Sequence, residues 1–314
     1  MTQLLLRVVC KPLMAVIPQA NMIQKIIDPH VHFFDLAKGE YSWLLPDNPP
    51  YWPDKSLINK DSMPHHLVLN NNYFLQGAVH IEAGFDNINP KREVDWLASQ
   101  VYPQAQKTQF RTIAFINIFE QYDVFKKQLF SMLDSPNLAG FRCIIDDDAC
   151  FFKENSLIKQ NLFCVAKTHL IFELHADFTK NMLIANLHNM LVSLPDLKIV
   201  INHAGLPPLA ESEAFGHWQA NMEMFAALPN CYVKCSGFEM TNREYTKEHV
   251  CDVLSAIAEL FGYDRMMLAS NFPLTLFTRS YCEYWNLMFD CVKETHLPIK
   301  KVLCTNAKDL YGFS

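Results

Sequence analysis

Residues 170–205 read LIFELHADFTKNMLIANLHNMLVSLPDLKIVINHAG. Two short apolar runs, LIFELHAD and LKIVINHAG, flank a stretch of different period. In that stretch Leu183, Leu187, Met190, Leu191 and Leu194 recur at helical spacing after Thr179, a good helix N-cap. A strand, a helix and a second strand in about 36 residues is the unit of a parallel sheet. Each of its two strands closes on a histidine, His175 and His203.

The same unit extends in both directions. Six further strand-length runs are KIIDPHVHF, QGAVHIEA, RTIAFINI, AGFRCII, CYVKCSG and RMMLASNF. Helical patterns lie between them. Phe125, Leu129, Met132 and Leu133 follow Asp123, a suitable N-cap, and Val250, Val253, Leu254, Ile257, Leu260 and Phe261 form a second face. Eight strands alternating with helices predict an α/β fold, a (β/α)8 TIM barrel. The alternative, a doubly wound open sheet, lacks its usual Gly-rich strand-to-helix turn. With nine glycines in 314 residues, that absence carries weight.

The 50% hydrophobic content supplies a large core, and the formal net charge of -6, with no basic block, argues against nucleic-acid binding. No apolar run is long enough to span a membrane. None of the ten cysteines forms a C-x-x-C pair; the closest spacing is Cys231 to Cys235. Reduced thiols acting as small hydrophobes are expected, in a cytoplasmic setting. The opening stretch MTQLLLRVVCKPLMAVIPQAN has its apolar run split by Lys11 and Pro12. Residues 1–21 are expected to be an N-terminal extension and 22–314 a single barrel domain. A long excursion at about 35–75, between the first strand and the first helix, contains Tyr41, Trp43 and PDNPPYWP. It reads as a lid or pocket wall, or as a packed surface loop.

In Asp28-Pro29-His30-Val31-His32, residues two apart on a strand share a face, so the two imidazoles can meet one metal ion. H-x-H alone is a weak signal. In a barrel, however, the C-terminal strand ends converge, which brings His30, His32, His175 and His203 to one site. Each alone also reads as a hydrogen-bonded core histidine. The other eight histidines, His65, His66 and His217 among them, show no such pattern.

The segments DPHVHFFDLAKGEYSWL, VHIEAG, LAGFRCIIDDD, INHAGLPP, NCYVKCSGF, FGYDRMMLASNFPL and TNAKDLYGF occur in an order that resembles the amidohydrolase-2 family, nearest its sugar-lactone hydrolases. The likeness runs from Ile27 to Phe313. It implies a barrel hydrolase acting on a lactone or similar ester. It also implies a divalent metal, zinc first, although some members of the branch work without one. His30 and His32 match the family's first-strand pair, and His175 and His203 its fifth- and sixth-strand histidines. The metal ligands implied are His30, His32 and His175; the catalytic residues are His175, His203 and Asn271. Arg142 matches a fourth-strand arginine whose fork suits a substrate carboxylate. Its other reading is an ion pair with Asp146 or a neighbour. Glu82, on the face of His80, and Trp43 complete the expected substrate contacts. Lys234 is either a site residue or a buried ion-pair partner.

One position departs from the family pattern. Its eighth-strand motif reads Ser-Asp-Trp-Pro, whereas this chain has Ser270-Asn271-Phe272-Pro273. The aspartate takes the proton of the attacking water, and an amide has no titratable carboxylate with which to do so. Three readings follow: a hydrolase in which His175 or His203 is the base, a pseudo-hydrolase that binds a small acid or sugar derivative, and a decarboxylase. The expected partner is a small molecule, with neither nucleic acid nor membrane; assembly into a homo-oligomer is left open.

Overall fold

The computed structural model describes residues 23–145 and 156–314. The expected N-terminal extension and Asp146 lie outside the described residues. Eight strands form one sheet in sequence order: β1 (Gln24–Val31), β2 (Tyr73–Ile81), β3 (Gln109–Phe115), β4 (Leu138–Ile144), β5 (Ile171–His175), β6 (Lys198–Ile201), β7 (Cys231–Cys235) and β8 (Met266–Leu268). Every neighbouring pair is parallel. The sheet curls until β8 meets β1. A parallel bridge joins Val31 to Phe272, and the Asn271 N–H donates to the His30 carbonyl at 3.0 Å. The eight apolar runs of the sequence are these eight strands, and the fold is the expected (β/α)8 barrel.

The outer layer is α1 (Lys91–Trp96), α2 (Tyr122–Met132), α3 (Ser156–Ala166), α4 (Asn181–Leu191), α5 (Glu213–Ala226), α6 (Phe238–Thr241), α7 (Lys247–Phe261) and α8 (Tyr281–Glu294), followed by α9 (Asn306–Tyr311). The apolar helix faces read from sequence are buried: Phe125, Leu129 and Met132 on α2, Leu183, Leu187, Met190 and Leu191 on α4, Val250, Val253, Leu254 and Ile257 on α7. Two caps differ from expectation. α4 starts after Lys180, because the Thr179 hydroxyl donates to Asp177 instead, and α2 starts after Gln121, leaving Asp123 in its first turn.

Strand alternation splits the core in two. Ile27, Val79, Ile81, Ile113, Ile171, Val200 and Met267 fill the barrel together with Tyr311 and Phe313, which follow from α9 and stopper one end. Phe141, Phe172, Leu174, Ile199, Ile201 and Val233 face the helices. Close approach is built in at Gly140, where a Cβ would lie 2.3 Å from the Ile171 carbonyl oxygen. Above the apolar floor sits a buried polar layer. The Lys234 ammonium is 2.6 Å from both Glu173 oxygens, and the Tyr311 hydroxyl and Asn202 amide donate to the same carboxylate. Lys234 is thus the buried ion-pair partner of the two alternatives. Four donors on one carboxylate satisfy a charge that would otherwise be costly to bury.

The excursion after β1 holds three short 3-10 turns and no α-helix; it runs straight into β2, which begins at Tyr73. It is tied down on both sides. Phe34 bridges to Ser62, the Trp43 indole N–H donates to the Ala83 carbonyl at 2.7 Å, and Arg243 pairs with Asp54 at 2.7 Å while lying over Phe277. Tyr41, Leu44 and Ile58 are buried in the core. These contacts make it a wall beside the strand ends.

All eight cysteines among the described residues are free thiols, and no helix of the described residues is long and apolar enough to cross a membrane.

Candidate active site

The histidines of the strand ends meet. Ring centroids of His30 and His32 are 5.0 Å apart, those of His30 and His203 4.5 Å, and those of His175 and His203 5.2 Å. His30 is part of β1 and His32 lies one residue past it; His175 ends β5. His203 is reached differently. β6 stops at Ile201, and the chain turns through His203 (φ 53) and Ala204 (φ 48), both left-handed. Such backbone is costly for residues with a Cβ and clusters at functional sites. Space for the His203 ring depends on Gly237, where a Cβ would stand 2.4 Å from His203 Nδ1.

All four imidazoles are held neutral. Burial lowers His30, His32 and His203 well below the ordinary value, with smaller contributions from one another and from Arg142 and Lys234. Burial, then Arg142, brings His175 down to about 3. A neutral imidazole has one lone pair, so it serves as base or ligand rather than as cation. The hydrogen bonds fix where those lone pairs point. His32 Nδ1–H donates to the Ile81 carbonyl at 2.8 Å, which leaves Nε2 as its acceptor. His203 Nδ1 is 2.9 Å from the Ser236 hydroxyl. Both nitrogens of His30 and Nδ1 of His175 are buried without a partner among the described residues, which leaves them available to a water or ligand.

Arg142 and Glu82 also arrive together, paired with each other. Arg142 Nε donates to Glu82 Oε1 at 2.8 Å and Nη2 to the Glu82 carbonyl at 2.8 Å. The ion-pair reading of Arg142 is therefore realised with Glu82. Nη1 makes none of these bonds among the described residues. Trp43 is half-buried, and with its N–H held by Ala83 it offers a ring face rather than a donor. His80 is separated from this group: its Nδ1 accepts from Phe33 N–H and its Nε2 lies 3.1 Å from Glu93 in α1.

Asn271 completes the ring of strand ends. Its backbone is left-handed (φ 58), a region Asn tolerates better than most residues. Its side chain is 1% exposed and lies beside His32. The amide Nδ2 donates to Glu239 Oε1 at 2.7 Å, and Oδ1 has no partner among the described residues.

The donor set fits a divalent metal only in part. His30 and His32 have the residue type, the neutral form and, in the His32–Ile81 bond, the outer contact that commonly orients a ligating imidazole. A third ligand is not at hand. Among the described residues no three His, Cys, Asp or Glu side chains stand at metal-ligand spacing, and the ring packed on His30 is His203 rather than His175. Two ligands do not define a metal centre.

Three further residues shape the site, two of which, Ser236 and Glu239, no sequence motif singles out. Asp28 was placed with the histidines, yet its oxygens are taken by the N–H groups of His30 and Ser270 and by the Tyr281 hydroxyl, so it clamps β1 to β8. Ser236 and Glu239 follow β7 directly. The strand-end position of CYVKCSGFE was a usable signal for both.

Comparison with known proteins fits this geometry. The amidohydrolase family model matches residues 139–313, more than half of the chain. Protein y4mH of Sinorhizobium fredii, itself uncharacterized, is 29% identical over 276 residues, covering 83% of this chain and 89% of its own length. The L-fucono-1,5-lactonase of Burkholderia multivorans is 33% identical over 101 residues, 29% of this chain and 34% of the lactonase. Among solved structures, a zinc-bound amidohydrolase of Burkholderia multivorans superposes with a TM-score of 0.74 at 18% identity, covering 92% of this chain and 99% of that one.

Proposed function

Since this chain belongs to the amidohydrolase family, we propose that it hydrolyses a small lactone or carboxylate-bearing ester with a water held in the histidine cluster. The single observation that carries this reading is the convergence of unpaired acceptors. The ring nitrogens of His30 and Asn271 Oδ1 have no hydrogen-bond partner among the described residues, and both groups adjoin His32. A water there donates one O–H to Asn271 Oδ1 and the other to the base, and turns a lone pair outward. His203, oriented through Ser236, or His175 takes the proton as the water adds to the carbonyl carbon. Burial makes each a weak base in the free protein, and the imidazolium formed returns its proton readily to the leaving alkoxide. Arg142, held rigid by Glu82, directs Nη1 at a carboxylate or at the developing oxyanion. Trp43 covers the substrate's apolar face. The similarity to a lactonase supports the substrate class.

The test is hydrolysis across a panel of sugar and dicarboxylate lactones, with and without added zinc or manganese. Turnover of at least one lactone is expected. A panel with no turnover, alongside measurable binding of a small sugar acid, would instead favour the second reading, a pseudo-hydrolase. The observation behind that reading is Asn271, which lacks the carboxylate the family uses.

A further inference from the structure

Glu239 is the most conspicuous buried acid that the mechanism above leaves unused. It lies in α6, directly after β7, and is fully buried. Oε1 accepts from Asn271 Nδ2 at 2.7 Å, and Oε2 has no partner among the described residues. An ionised carboxylate only accepts hydrogen bonds. Beside it, the Asn271 amide has one stable orientation, with NH2 toward Glu239 and Oδ1 on the opposite side. That side is His32, whose protonated form the Asn271 side chain favours, as an acceptor would. Oδ1 then stands on the His32 side as a free acceptor for one O–H of a water.

We propose that Glu239 is the positioning residue that fixes this orientation of Asn271, so that the Glu239–Asn271 pair serves where a single strand-8 carboxylate otherwise stands. The pair keeps one negative charge next to the water, as an aspartate does, but one hydrogen bond further back. The role assigned to the water rests on the hydrolytic reading above; the orientation of the amide does not.

The pair responds to pH. Burial raises the Glu239 carboxyl to about 7, against its own N–H, the Asn271 bond, Arg243 and Arg279, which lower it. The phenols of Tyr245 and Tyr284 face it as well. Once protonated, Glu239 is a donor too, and the amide is free to turn its NH2 toward His32, which removes the acceptor from the water. Activity therefore falls as pH drops through about 7.

Two measurements test this. In the first, the Asn271 side-chain amide signal is followed by NMR, identified by its absence in Asn271→Asp. In the intact chain at pH 8 its protons are expected to be shifted downfield and slow to exchange. That signature is expected to vanish in Glu239→Gln and on acidification through about 7. In the second, kcat/KM for a hydrolysed lactone is measured against pH. Glu239→Gln is expected to lose about tenfold to a hundredfold, the scale of a charge-assisted hydrogen bond, and to lose the acid limb near 7. The exchanged pair, Glu239→Gln with Asn271→Asp, is expected to return to within about tenfold of the intact chain, since it keeps one carboxylate and one amide. Asn271→Asp alone is expected to lose activity, because two carboxylates in hydrogen-bond contact share one proton. An amide signal unchanged in Glu239→Gln overturns the proposal, as does an acid limb that stays in place or Asn271→Asp alone raising the rate. If no lactone is hydrolysed while the amide signal behaves as expected, the hydrolytic reading fails and the positioning of Asn271 stands.

Discussion

Acidification is expected to unfold this protein earlier than its charge alone suggests, and His203 shows why. Its imidazole is 2% exposed and held neutral by burial. In the unfolded chain it titrates near the ordinary value of about 6.5. Its folded value is depressed, so only the unfolded state takes up a proton as pH falls below 6.5, and stability drops. Between pH 7.5 and 5.0 that costs about 2 kcal/mol for one histidine, and about 8 kcal/mol if His30, His32 and His175 behave alike. Three buried acids work in the opposite direction. Asp28, raised to about 6, Glu239, raised to about 7, and Glu93, also raised by burial, bind protons in the folded state first. Asp28 and Glu239 together offset about 3–4 kcal/mol and Glu93 adds to that, leaving a net loss of at most about 4 kcal/mol. The assay is urea unfolding of the intact chain and of His203→Asn at both pH values. The variant's absolute stability is immaterial, because the quantity read is the difference in pH dependence. His203→Asn should lose about 2 kcal/mol less than the intact chain between the two pH values. Equal losses would refute the claim that His203 is buried neutral.

Three other expectations follow from named contacts. Lys234→Met leaves the Glu173 carboxylate buried with only Tyr311 and Asn202, and should cost about 3–5 kcal/mol in urea unfolding; adding Glu173→Leu should recover most of it. Gly237→Ala puts a Cβ 2.4 Å from His203 Nδ1 at a residue with φ +67, and should cost about 2–4 kcal/mol while displacing His203 enough to lower kcat. Arg142→Ala removes the fork proposed to face substrate and leaves Glu82 without this partner; KM for a carboxylate-bearing lactone should rise by about tenfold or more, while Arg142→Lys recovers little because a point charge does not reproduce paired donors.

The barrel was legible because its signal is repeated. Eight apolar runs at strand length, each followed by a helical face, admit few arrangements, and the strand ends follow from the topology. The four histidines were legible for the same reason. What remained hidden depends on partners distant in sequence. Arg142 and Glu82 were each read as facing substrate, but they are 60 residues apart and bind each other. Asp28 shares a strand with His30, yet Ser270 and Tyr281, more than 240 residues on, capture it. Periodicity places the three metal candidates on strand ends but not their distances. The left-handed turn at His203 brings that ring, and not His175, against His30. Asn271 departs from the family pattern at a position the sequence shows, whereas the buried acid behind it depends on α6 packing against the turn Leu274–Phe277 that follows β8.

The account's central claim is that this histidine cluster adds water to a strained ester carbonyl. The most direct measurement is proton release on adding individual lactones to the purified chain, run beside His203→Asn. The account predicts enzyme-dependent release with at least one lactone, reduced by about a hundredfold or more in the variant while ligand binding persists. Release that is absent for every lactone tested, or equal in the two proteins, would contradict it.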